Sequence, residues 1–169
     1  SVMDAIDLRK EIGPNGRWYE ELARYDLLFS LSPDGSLTRR FPILLAMLCL
    51  ATCAAVLLRR ERIPGAALGP SRRLLAVSGL YFVALTLTPT KHVHHFGVFA
   101  AVVGSLAALT ALATSSTVLR SRRNRAAFFA GLMAILAFAF TGTNAWWYVS
   151  GWGVPWFDKP PSFSGYQLS

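Results

Sequence analysis

Hydrophobic and polar positions alternate along this chain in long blocks. Residues 1–40 are polar and mixed in charge. Four uncharged apolar runs follow, at 41–58, 74–90, 96–119 and 126–143, and a mixed aromatic tail spans 144–169. An apolar run of about 18 residues makes a helix of roughly 27 Å, close to the thickness of a bilayer's hydrocarbon core. The pattern predicts an all-α, polytopic membrane protein piece with four transmembrane helices. The second run, with Ser78, Gly79 and several threonines, is the least apolar, and its alternative is a buried helix of a soluble protein. Pro89 helps end that run by disfavouring helix in the residue before it. Pro64 and Pro70 break the connection that precedes it.

In the polar segment 1–40, GPNG (13–16) and SPDGS (32–36) are turn signals. Between them WYEELARYDLLF sets Trp18, Leu22, Tyr25 and Phe29 at helical spacing. That helix is expected to lie at the membrane interface or to cap the bundle. In the third run, Gly97, Ala101 and Ser105, with Gly104 and Ala108, suit close helix packing in lipid, as within a larger bundle. Cys49 and Cys53, four residues apart in the first run, read as small packing residues with no disulfide implied.

Composition strengthens the membrane reading. Of the 169 residues, 53% are hydrophobic and 15% charged, against about a quarter charged in soluble domains. The formal net charge is +8, and its placement matters more than its size. RRERIPGAALGPSRR (59–73) holds five arginines and RSRRNR (120–125) four. Both connections fall on one face of a four-span bundle, which the positive-inside rule makes cytoplasmic. The N-terminal segment, the turn between spans two and three and the tail are then periplasmic. No nucleic-acid partner is expected of charge arranged in this way. No signal peptide is visible, and the chain opens without Met, as an internal piece of a longer protein would.

Candidate chemistry gathers on the outer face. TPTKHVHHFG (88–97) brings Thr88, Thr90, Lys91, His92, His94 and His95 into one short turn, and Arg39 and Arg40 precede the first span. Cations and hydroxyls at a membrane boundary suit an anionic head group, because Lys and Arg form charge-assisted bonds to phosphate oxygens and histidine donates or shuttles a proton. The two arginines can also simply snorkel to lipid phosphates. Trp146, Trp147 and Trp152 crowd the tail with Tyr148 and Trp156, either as an interfacial belt or as a stacking platform for sugar rings. Metal binding by the histidines is a weaker alternative, since the turn has no Cys, Asp or Glu to complete a site. No metal or cofactor is expected in this segment.

SPDGSLTRRFP (32–42), RIPGAALGPSRR (62–73), TPTKHVHHFG and TGTNAWWYVSGWGVPW (141–156) resemble the mycobacterial arabinosyltransferases targeted by ethambutol, and the resemblance runs along nearly the whole chain. It implies a GT-C glycosyltransferase that moves D-arabinofuranose from decaprenylphosphoryl arabinose to the arabinan of arabinogalactan and lipoarabinomannan. The site would face the periplasm of the plasma membrane. It implies His94 as the leading ligand of the donor phosphate, with Thr90 and Lys91 beside it; His95 matches the family as well, and Arg39 and Arg40 are phosphate candidates by charge and position alone. His92 stands where the family carries Trp. The family's catalytic aspartate lies on an earlier outer loop with no matching motif here, and Asp4, Asp7, Asp26 and Asp34 are not promoted to that role. The family's carbohydrate-binding C-terminal domain has no counterpart either. The implied partners are membrane lipid, the remainder of the enzyme, a paralogous subunit and an acidic acyl carrier protein, which Arg72 and Arg73 would meet on the cytoplasmic side. The competing reading is a non-catalytic membrane scaffold or lipid-binding module.

Overall fold

The computed structural model describes residues 17–30, 37, 40–115, 121–144, 156–157 and 159–167. The chain is mostly helical, in keeping with the all-α expectation. After a 3-10 turn at Trp18–Glu20 come helices α1 (Leu22–Phe29), α2 (Phe41–Arg60), α3 (Leu68–Thr86), α4 (Ala100–Ala113) and α5 (Arg122–Ala139). The 3-10 segment Val93–Phe99 leads into α4. A two-residue antiparallel hairpin, β1 (Ser162–Phe163) and β2 (Tyr166–Gln167), adds the only strands among the described residues.

Helix α2 is the centre of the bundle and packs on α3, α4 and α5. Its buried face reads Ile43, Leu44, Ala46, Cys49, Cys53 and Val56, the spacing of one helical stripe. Pro42 is tolerated in its first turn, where its missing N–H needs no partner. Arg59 and Arg60 sit in the last turn, at the negative end of the helix dipole. Glu61 closes the helix in the left-handed region, donating its N–H to Leu57 O at 2.7 Å.

Two apolar clusters hold α2 to its neighbours. One joins Leu44 and Cys49 to Leu85, Phe96, Phe99 and Leu106; the other joins Cys53 and Val56 to Ile63, Leu109 and Ala113. Cys49 and Cys53 are free and buried, and Thr110 Oγ1 lies 3.3 Å from Cys53 Sγ while donating to Leu106 O at 2.8 Å. Helix α3 turns Ser71, Ser78 and Leu85 inward at seven-residue spacing. Its two buried serines return their hydroxyls to the carbonyls four residues back, so neither is left unsatisfied.

The helix limits differ from the apolar runs in an informative way. Helix α3 begins at Leu68 rather than 74, because Pro70 falls in its first turn instead of breaking it. It therefore carries Arg72 and Arg73, and α5 begins at Arg122 rather than 126. Two helical stretches, Phe41–Arg60 and Val93–Ala113, are long and apolar enough to cross a membrane. Arginines near the starts of α3 (Arg72, Arg73) and α5 (Arg122, Arg123, Arg125) make these two helices less apolar. The small residues Gly97, Ala101, Gly104, Ser105 and Ala108 are exposed, and a Cβ on Gly97 or Gly104 would meet nothing within 4 Å among the described residues. Large side chains are exposed in the same manner on α3 (Leu80, Val83) and α5 (Phe129, Met133).

Candidate functional site

The turn between α3 and the 3-10 segment is organised from α1. Arg24 of α1 is 0% exposed and all five of its N–H groups have acceptors. Nε donates to Glu21 Oε1 at 2.7 Å. Nη1 donates to His92 O at 2.5 Å and to His95 Nδ1 at 2.8 Å. Nη2 reaches Thr88 Oγ1 at 2.6 Å and Leu85 O at 3.1 Å, with longer approaches to Glu21 Oε2 and Thr90 O. One side chain thus ties the last turn of α3, through Leu85 O, to the Thr88 hydroxyl and the Thr90 and His92 carbonyls of the loop that follows.

Lys91 is also 0% exposed. Its ammonium donates to Thr86 O at 2.8 Å and Thr88 O at 3.0 Å and pairs with Glu21 Oε2 at 3.2 Å, which accounts for its three protons. Lys91 and Arg24 together satisfy carbonyls at the C-terminus of α3, where the helix dipole favours cations. Glu21 is the shared counter-ion, so the buried triad carries one net positive charge directly beneath the histidines. Burial first, and the Glu21 carboxylate second, push the neighbouring Tyr25 phenol above its ordinary range. Tyr25 packs on Phe96 with ring centroids 5.6 Å apart.

His92, His94 and His95 gather above the triad. The His92 and His94 rings stack at 5.1 Å, and His94 meets His95 edge-on at 4.4 Å. Arginine has no acceptor atom, so the His95 Nδ1 facing Arg24 must accept, and the ring carries its proton on Nε2. His94 is exposed and His95 partly so. Among the described residues no three His, Cys, Asp or Glu side chains are arranged to hold a metal ion.

The structure therefore brings His94, His95, Thr90 and Lys91 together, as the sequence suggests, but sorts them by depth. His94 looks outward, Thr90 presents its carbonyl to Arg24, and Lys91 points inward. Arg40 also points inward and is buried. It donates to Leu28 O at 2.8 Å, to Thr141 O at 2.5 Å, to Phe138 O at 3.3 Å and to Ser30 O. It is a second buried arginine clasping helix C-termini, here those of α1 and α5. Arg39, Trp146, Trp147 and Trp152 lie outside the described residues. Arg72 and Arg73 are exposed near the start of α3, about 20 Å from its end at Thr86.

Arg24 and Glu21 are the residues that reading the sequence missed. Of the stripe Trp18, Leu22, Tyr25 and Phe29, three side chains are 69%, 74% and 47% exposed, and Tyr25 alone is partly buried, against Phe96. The inward face is Glu21, Arg24 and Leu28, three and four residues apart. The available signal was the pair Glu21 and Arg24 at i, i+3, opposite an aromatic stripe, in a chain poor in acids.

Relatives agree on what this segment belongs to. The family described as "Mycobacterial cell wall arabinan synthesis protein" matches residues 1–169. The chain is 47% identical over 161 residues to the probable arabinosyltransferase C of Mycolicibacterium smegmatis, covering 95% of this chain and 15% of that protein. It is 49% identical over 156 residues to the probable arabinosyltransferase C of Mycobacterium tuberculosis strain H37Rv, covering 92% and 14%. Against the probable arabinosyltransferase B of Mycobacterium avium the identity is 47% over 169 residues, covering 100% and 16%. The chain spans a small fraction of the length of these relatives. A match along all 169 residues, with identities of 47–49% to its arabinosyltransferase relatives, means that the chain belongs to the family of mycobacterial cell wall arabinan synthesis proteins.

Proposed function

We propose that this chain supplies the donor-phosphate side of a membrane arabinosyltransferase, which transfers D-arabinofuranose from decaprenylphosphoryl arabinose to cell-wall arabinan. The observation that carries the reading is the His92–His94–His95 cluster seated on a buried triad of net positive charge. As the glycosidic C–O bond breaks, negative charge grows on the departing phosphate. Donors already oriented toward that charge lower the barrier without reorganising. His94, at the surface of the cluster, contacts the phosphate, and His95 offers its Nε2–H. Lys91 and Arg24 act from behind, as fixed positive charge in a poorly solvated place, and Thr90 shapes the turn. Arg40 holds the neighbouring helix ends, and Arg39 lies close to it in sequence. The tail tryptophans Trp146, Trp147 and Trp152 serve the sugar acceptor or the interface.

In this reading the four long helices cross the plasma membrane, with the histidine end periplasmic and the arginine end cytoplasmic. Arg72 and Arg73 then face an acyl carrier protein, and the exposed apolar faces meet lipid, the rest of the enzyme or a paralogous subunit. The general base comes from elsewhere in the full-length protein.

In the full-length enzyme, His94→Ala is expected to lower arabinan transfer by about tenfold or more, with the loss in kcat rather than in acceptor KM. Wild-type turnover in that variant would sink the proposal. Orientation has its own check. Cysteines at Pro89 and His94 should react with a membrane-impermeant maleimide from the periplasmic side, and a cysteine at Arg73 only after the membrane is opened. The reverse pattern would invert the topology.

A further inference from the structure

Helices α2 and α5 pack tightly toward the histidine end and part toward the arginine end. A Cβ on Gly131 of α5 would lie 3.3 Å from Leu48 Cδ1 of α2, so the helices are in contact at that level. Beyond it they enclose a cleft of about 620 Å³, within the usual size range of small-molecule sites. Small side chains keep it open: Ala51 and Ala55 line one wall and Ala127 the other. Its polar groups collect at the end away from the histidines, where Arg59, Arg60, Ser121 and Asn124 border the opening. Among the described residues no carboxylate belongs to the lining, and Glu61, next to Arg60, is not part of it.

We propose that this cleft is a binding site for an anionic phospholipid of the arginine-side leaflet. The inference rests on the membrane placement in the proposed function but not on the transfer reaction. One acyl chain lies between α2 and α5, and the phosphate sits at the mouth. The two guanidinium groups give charge-assisted bonds to phosphate oxygens, while Ser121 and Asn124 supply neutral donors. Charge complementarity selects this occupant. A further helix of the same protein would fill the apolar part, and would match Arg59 and Arg60 only if it carried a carboxylate at the cleft mouth. A zwitterionic lipid would fill it equally well but give the pair less net attraction.

The test uses the full-length protein in nanodiscs containing trace phosphatidylglycerol or phosphatidylcholine with the same diazirine-bearing acyl chain. Phosphatidylglycerol is expected to label peptides 48–60 and 121–131 with a roughly tenfold excess over phosphatidylcholine, the contribution of two cations beside an anionic head group. The excess should vanish in the R59Q/R60Q double variant. Ala55→Trp, which fills the cleft and keeps both arginines, should remove labelling by either lipid. Equal labelling by the two lipids, or an excess that survives R59Q/R60Q, would overturn the proposal. So would a disulfide from a cysteine at Ala55 to another helix of the same chain, because that helix would then occupy the cleft. Absence of label from α2 and α5 with both lipids would overturn the membrane placement as well, whereas loss of transfer in His94→Ala leaves the lipid result untouched.

Discussion

Arg24→Ala in the full-length enzyme is expected to lower the thermal midpoint by several degrees and to reduce arabinan transfer about a hundredfold or more. The side chain satisfies the carbonyls of Leu85 and His92, the Thr88 hydroxyl, His95 Nδ1 and the Glu21 carboxylate. Each buried acceptor left without a donor costs about 1–3 kcal/mol, and relaxation or water entry recovers part of that sum. Against a total stability of roughly 5–15 kcal/mol for a domain, the loss is severe. Activity falls further than stability because the donor that orients His95 disappears with the side chain. Arg24→Lys keeps the charge, but its single ammonium cannot reach α3 and the histidine turn at once. It should recover most of the thermal midpoint and little of the turnover. Unfolding followed by tryptophan fluorescence, alongside labelled-donor assays on the same preparations, checks both. A Lys variant with full activity would show that the orientation of His95 does not matter.

The second large effect belongs to Glu21. Glu21→Gln leaves two cations, Arg24 and Lys91, buried without a counter-ion, and breaking a buried pair in that way costs about 3–5 kcal/mol. Lys91→Met is expected to cost less, because the remaining Arg24–Glu21 pair is neutral and only the caps on the Thr86 and Thr88 carbonyls are lost. The two variants should therefore rank in opposite order for stability and chemistry. Glu21→Gln loses more of the fold, and Lys91→Met keeps the fold but loses turnover through the missing positive charge. Denaturant unfolding in detergent and single-turnover transfer assays measure the two separately. Equal destabilisation by both would mean that the triad is held by hydrogen bonds alone and that its charge balance is incidental.

The sequence made the helices legible because apolar runs at 41–58 and 96–119 have one cheap solution, a helix. Its limits were less legible. Thr114 and Ser115 end α4 near Ala113, since hydroxyl side chains offer local bonds that compete with helix. The run through 119 conceals that. Leu68 starts α3 early for the opposite reason: a proline that looks like a breaker is harmless in a first turn. The histidine turn was legible as a polar cluster between apolar runs. Its support was not, because the apolar stripe on α1 marks the helix without saying that its opposite, polar side carries the attachment. Glu21 and Arg24 turn inward because their partners, the carbonyls and hydroxyl of the turn after α3 and Lys91, lie there. Arg40 was legible as a boundary cation. That it clasps four carbonyls from two helix ends depends on contacts 98 and 101 residues apart in sequence, which no local pattern reveals.

Helix α1 is fastened to the bundle chiefly through ionic and carbonyl contacts, with Leu28 its one deeply sunk apolar residue among the described side chains. Hydrophobic attachment weakens on cooling, because apolar hydration carries a large heat capacity. Charge-based attachment lacks that dependence. Helix α1 should thus stay docked on the histidine-bearing rim in the cold, where an attachment made only of apolar side chains in water would loosen.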